Sequence, residues 1–179
     1  MLPYIDNSRL TVINFFGGPG TGKSSGAAGL FNFMKSTGMS VDYVSEVAKD
    51  YTWEKRFHML TEQDYIFAKQ NNRLRRLVGN VQYAIVDSPL VLGLMYMPDD
   101  FPAATHFSQF VIAAFNSYSN INILLDRRTV YDPAGRNQTE DEAIEKDQQL
   151  QHFLSTNNIP CINSYAGMPS EEVFRLIMS

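Results

Sequence analysis

Cysteine is nearly missing from this chain of 179 residues, where Cys161 stands alone. An internal disulfide is excluded, and a reducing compartment, the cytoplasm, is the expectation. Cys161 sits between Pro160 and Ile162 in an apolar stretch, which reads as a packed thiol rather than a nucleophile. Long hydrophobic runs are lacking too. No apolar stretch approaches the roughly 20 residues of a membrane span, so no membrane partner is expected. The start of the chain, with Pro3, Asp6 and Asn7, lacks a signal-peptide pattern. Charge of one sign is scarce, with 15 Lys and Arg against 19 Asp and Glu. Such a balance exerts no global pull on nucleic acid, so any DNA contact has to be local. Repeats and low-complexity linkers are also missing, and the length suits a single domain over 1–179. What is present, 44% hydrophobic residues, is the content of a folded protein.

Against that background one stretch stands out. Gly17-Gly18-Pro19-Gly20-Thr21-Gly22-Lys23-Ser24 fits the pattern G-x-x-x-x-G-K-[ST]. A polyphosphate is a dense anion that needs many N–H donors at short range, and glycines let the backbone curl around it. The residues from Gly18 through Ser24, with Ser25 after them, are the candidates to hold it. Lys23 has the reach for the β- and γ-phosphates, and the Ser24 hydroxyl is suited to Mg²⁺. The context agrees. Leu10 to Phe16 reads as a buried strand, and Ser25 to Lys35 carries apolar residues at helical spacing.

The rest of the chain repeats that alternation. Val41–Val44, Tyr83–Asp87, Ile121–Leu125 and Ile159–Asn163 read as strands. Helices are expected over Val47–Phe57, Thr61–Val78, Phe107–Tyr118, Thr139–Ser155 and Pro169–Met178, with Met95–Thr105 as loop. Trp53 and Phe57, four residues apart, are expected in the core. Lys69, Arg73 and Arg76, with Gln70 and Asn71 near them, are placed on a polar helix face. The expected fold is α/β, a three-layer sandwich around a five-stranded parallel sheet, in which ligands bind past the carboxyl ends of the strands.

Several chemistry-bearing residues fall at that rim. Asp87 ends an apolar strand, the pattern of an acid that holds Mg²⁺ beside a phosphate loop. Glu46 follows the second strand and is either a base for an acceptor hydroxyl or an ordinary acid at a helix start. Arg127, Arg128 and Arg136 are candidates to stabilise a moving phosphoryl group, or else a solvated strand end. The polar segment around them, about 127–139, has the composition of a short lid. A GTPase switch needs an Asn-Lys-x-Asp segment, which is not present. A motor usually carries a second acid after the strand-end Asp, and Ser88 stands there instead. A silent DNA-binding module fits poorly with the acidic balance.

The phosphate loop, Val44 to Tyr51, Asp87-Ser88-Pro89-Leu90 and Tyr131 to Glu142 together resemble the small P-loop kinases of bacterial viruses. That group is similar to nucleoside and nucleotide kinases and to ribosylnicotinamide kinase-like ATPases. Within it the chain most resembles kinases acting on 5-hydroxymethyluracil in DNA during thymidine hypermodification. The resemblance implies a P-loop NTPase fold and an ATP- and Mg²⁺-dependent phosphotransferase. Its acceptor would be a hydroxymethylated pyrimidine in DNA, or alternatively a free deoxynucleoside or its monophosphate. It also implies Glu46 as the second-strand acid, Arg127, Arg128 and Arg136 as lid arginines, and Ser164-Tyr165-Ala166-Gly167 as an adenine-binding loop. Tyr165 and Ala166 thereby join the nucleotide site. A base held in DNA would have to be unstacked, with Tyr51, Trp53, Phe57 and Tyr65 available to stack on it.

Overall fold

A computed structural model describes residues 10–127 and 140–179. The first strand, β1 (Thr11–Phe16), is buried along its whole length. The chain then runs through α1 (Lys23–Ser36), β2 (Val41–Val44), α2 (Val47–Trp53), α3 (Gln63–Arg75), β3 (Tyr83–Val86) and α4 (Ala104–Asn116). It ends through β4 (Ser119–Asp126), α5 (Glu140–Thr156), β5 (Ile162–Tyr165) and α6 (Ser170–Met178). Short 3-10 helices at Phe57–Leu60 and Leu90–Tyr96 fill two of the connections.

The five strands are all parallel, in the order β2-β3-β1-β4-β5. Side chains alternate across the sheet and make two cores. Ile13, Phe15, Ile85 and Ile123 pack on one face against Ala27, Leu30 and Met34 of α1 and Val173 of α6. Val12, Phe16, Ala84 and Val86 pack on the other face against Leu74, Val111, Phe115 and Leu150. One polar seam crosses that second layer. The Asn14 amide donates to Asn120 Oδ1 at 2.9 Å and to Asn122 Oδ1 at 3.0 Å, tying β1 to β4.

This is the P-loop NTPase fold, a three-layer sandwich as expected. Neighbouring strands lie about 4.8 Å apart, and β3 pairs directly with β1. The end of β3 therefore comes out beside the phosphate loop.

Local expectations shift in places. The helix starting at Val47 stops at Trp53, because Lys55 takes φ 57 and the Lys55 and Arg56 amides turn back to Thr52 and Tyr51. Phe57 thus falls in a separate turn and shares no stripe with Trp53. Both leave the core, Trp53 at 69% and Phe57 at 51% exposure. Gln70 moves the other way: it is 4% exposed and belongs to a buried stripe with Gln63, Phe67 and Leu74. Part of the stretch read as loop is helical, since Leu90–Tyr96 is a 3-10 helix and α4 already starts at Ala104. The last strand lies later than expected, at Ile162–Tyr165. Arg128, Arg136 and Thr139 lie outside the described residues, and so does the segment read as a lid apart from Arg127.

Candidate active site

The loop between β1 and α1 is held by its own side chains. Thr21 is fully buried, and its hydroxyl donates to Gly18 O at 3.0 Å. Lys23 Nζ donates to Gly17 O at 2.7 Å and Gly18 O at 2.8 Å, which keeps the ammonium over the loop. Gly22 caps α1 with φ 82, a left-handed conformation that glycine takes without strain. A side chain there would also meet Ala166, whose Cβ lies 3.1 Å from a Cβ built at Gly22. The turn after β5, with Tyr165 closing the strand, is thereby placed against the phosphate loop. α1 opens at Lys23, so its positive end lies under this loop.

Asp87 follows β3 and is 2% exposed. Its Oδ2 accepts a hydrogen bond from the Tyr43 hydroxyl at 2.7 Å. Its Oδ1 is buried and has no protein partner among the described residues. A buried carboxylate oxygen without a donor is costly unless something else satisfies it. A hard cation beside the phosphates would do so, with the Ser24 hydroxyl as a second oxygen ligand. These residues fit Mg²⁺ of the kind that keeps most of its ligands as water and phosphate. Burial pushes the Tyr43 hydroxyl well above the usual phenol range, and its bond to Asp87 adds to this. Tyr43 therefore remains a donor.

Glu46 stands at the N-cap position of α2 without a side-chain capping bond, and its carboxyl is raised above the usual range, first by burial, with Asp87 adding to this and Lys23 and Lys49 opposing. Lys23 and Asp87 thus both lie near enough to act on the Glu46 carboxyl. The Glu46 backbone is clamped from α3. Val47 N donates to Gln70 Oε1 at 3.1 Å, and Gln70 Nε2 donates to Ser45 O at 3.2 Å. Both ends of the amide are engaged, which fixes its orientation.

Arg127, which follows β4, turns toward the loop. Its Nε donates to Asp147 Oδ2 at 2.7 Å and its Nη2 to Pro19 O at 2.7 Å.

One cavity of about 760 Å³ connects these parts. Gly17, Pro19, Gly20, Gly22, Lys23, Ser24 and Ser25 line it on the loop side, and Glu46 also lines it. The other end is a chamber between α2, α3, α4 and the Leu90–Tyr96 turn, with Trp53, Gln63, Phe67, Gln70, Leu92 and Tyr96 on its walls. The volume lies within the range of small-molecule sites. Of the residues singled out from sequence, Lys23, Ser24, Ser25 and Glu46 share this wall, and Asp87 immediately precedes Ser88, which also lines it. Gly18 and Thr21 shape the loop from behind. Sequence reading missed Tyr43, Asp147 and the role of Gln70. The signal for Gln70 was available, since a glutamine recurring within an apolar stripe is a buried polar group in need of partners.

Burial pushes the half-buried Cys161 thiol up to about 11, which keeps it protonated near neutral pH. Among the described residues no cluster of His, Cys, Asp or Glu forms a separate metal site, and no helix is long and apolar enough to cross a membrane.

A family model described as an AAA domain matches residues 12–170. No curated protein matches the chain. Among solved structures, the NadR protein in complex with NAD and AMP-PNP aligns with a TM-score of 0.67 at 13% identity, over 96% of this chain and 49% of that one. The NadR protein in complex with NR aligns at 0.68 and 14%, over 96% and 51%. The chain thus spans about half the length of the NadR chains. Deoxyadenosine kinase from M. mycoides with bound dATP aligns at 0.57 and 16%, over 93% of this chain and 97% of that one.

Proposed function

We propose, from the premise that the chain belongs to the AAA domain family, that it is an ATP-dependent phosphotransferase acting on a hydroxyl group. The observation that carries this is the single cavity in which a phosphate loop, a buried carboxylate and an apolar chamber meet. A motor needs no such chamber beside its nucleotide. It also needs an acid after the strand-end Asp to polarise water, and Ser88 is there instead.

Phosphoryl transfer requires little covalent help, only a held donor, an aligned acceptor and neutralised charge. The amides of the loop and α1's positive end hold the polyphosphate, and Lys23 balances its terminal charge. Mg²⁺, when bound, supplies further neutralisation across the phosphates, held by Ser24 and Asp87. Glu46 faces the chamber and accepts the proton of the acceptor hydroxyl. Its raised carboxyl is closer to neutral pH than an ordinary glutamate, which suits a general base. Tyr165 and Ala166 flank the loop where the adenosine end of the donor leaves. Arg128 and Arg136 are proposed as further donors to the moving phosphoryl group.

For the acceptor, a hydroxymethylated pyrimidine in DNA is the first reading. It is supported by exposed Trp53, Phe57 and Tyr65 on the side of α2 and α3, with Lys69 Nζ 4.8 Å from the Tyr65 ring centre. Such rings are platforms for an unstacked base. A free deoxynucleoside or its monophosphate is the second reading, supported by the chamber's mainly apolar walls and its size, which suits a small molecule. A panel of acceptors with γ-labelled ATP separates them: unmodified DNA, hydroxymethyluracil DNA, free nucleosides and monophosphates. Label in hydroxymethyluracil DNA alone supports the first reading. Label in the small molecules alone ends it, and label in none of the panel removes both.

A further inference from the structure

We infer that Asp147 is a positioning residue which, paired with Arg127, locks the phosphate loop from behind. The inference rests on the reading of the loop as the nucleotide site. Three hydrogen bonds close a ring through the Gly18–Pro19 backbone. Gly18 N donates to Asp147 Oδ1 at 2.9 Å, and Asp147 Oδ2 accepts from Arg127 Nε at 2.7 Å. Arg127 Nη2 then donates to Pro19 O at 2.7 Å, with a longer contact to Ala143 O at 3.4 Å. The peptide between Gly18 and Pro19 is thereby satisfied at both its flanking polar groups by one ion pair. The fit is tight. A Cβ built at Gly18 would lie 2.1 Å from Asp147 Oδ1, so Gly18 is required for the carboxylate to approach. The pair is largely shielded, with side-chain exposures of 14% for Arg127 and 23% for Asp147. Neither residue lines the cavity that Lys23, Ser24 and Glu46 share.

Charge makes this arrangement informative. A carboxylate behind a polyphosphate site repels its ligand unless it is neutralised. Asp147 is tolerated there because the guanidinium cancels its charge while both shape the backbone. Two consequences follow for Arg127. Removing it opens the ring and also leaves a shielded, unpaired carboxylate next to the anion site. Removing Asp147 as well takes that second cost away.

The experiment measures binding of a fluorescent ATP analogue with Mg²⁺ to four proteins: wild type, Arg127→Met, Asp147→Asn and Arg127→Met/Asp147→Asn. Thermal melts check each fold. Wild-type protein that fails to bind overturns the nucleotide-site reading itself. With wild type binding, Arg127→Met is expected to bind weakest, and the double variant to recover about tenfold of the lost affinity, the scale of coupling between contacting residues. A double variant as weak as Arg127→Met, or weaker, overturns the lock and marks Arg127 as a direct phosphate ligand. If Arg127→Met does not fold, Arg127→Lys replaces it. Lys keeps the charge on Asp147 but has no guanidinium to bridge to Pro19. Weaker binding than wild type is then expected, and wild-type affinity overturns the bridge.

Discussion

Replacing Glu46 by Gln removes one negative charge and the only carboxylate on the cavity wall among the described residues, while keeping the side chain's shape. A positioned general base contributes about 10²–10⁴ in rate. At about 1.36 kcal/mol per tenfold, that is roughly 3–5 kcal/mol of barrier. Clamping of residues 45 and 47 by Gln70 limits backbone rearrangement, so the loss should fall on kcat rather than on ATP affinity. The wild-type rate should rise with pH through a value above the ordinary glutamate range, because burial raises this carboxyl. The variant should lose that limb. Stability should move oppositely. A group whose folded pKa is raised binds its proton more tightly in the native state, so its stabilisation is complete below about 4.3 and is lost as pH rises through the folded value. Glu46→Gln should therefore melt higher than wild type at pH 8, with the gap closing at acid pH. Single-turnover transfer from γ-labelled ATP and melts across pH are the assays. A kcat within threefold of wild type, or an unchanged acid limb, refutes the role given to Glu46.

Tyr43→Phe deletes a 2.7 Å hydroxyl–carboxylate bond to Asp87, the kind worth about 1.5–3 kcal/mol. Metal affinity should fall about tenfold or more, read by Mn²⁺ resonance with bound ADP, and an unchanged affinity would show that Tyr43 does not orient Asp87. Lys23→Ala should abolish transfer while the fold persists; residual transfer at the wild-type rate would remove the loop from the mechanism. Trp53→Ala should raise the acceptor's KM with little change in melting temperature, since Trp53 is exposed at the chamber, and an unaltered KM would sink its stacking role. Gln70→Leu leaves Ser45 O without one of its donors and removes the acceptor of Val47 N, a cost of about 1–3 kcal/mol that should lower Tm by roughly 5 °C. A melt at the wild-type temperature would show that the clamp contributes nothing.

Placement of the first four strands was legible because β-branched and aromatic runs such as Thr11–Phe16 are buried on both faces and read as continuous apolar segments. The phosphate loop was legible because glycine, lysine and serine at that spacing answer a backbone need. Trp53 misled because its environment is set by where α2 ends, and that depends on Lys55 adopting φ 57, a conformation that no sequence signal announced. Asp147 was hidden for another reason. On sequence it is one acid among several on a polar helix, and only the return of α5 to the loop, 129 residues from Gly18, gives it a role. Long-range partners of this kind carry no periodicity.

Phosphorus NMR of ATP incubated with the protein, Mg²⁺ and the acceptor panel tests transfer itself. If one cavity joins donor and acceptor, a phosphomonoester resonance grows as the γ-phosphate signal of ATP decays, and only when the right hydroxyl is supplied. Release of inorganic phosphate alone, at a rate that no acceptor alters, would contradict phosphotransfer and leave a hydrolase in its place.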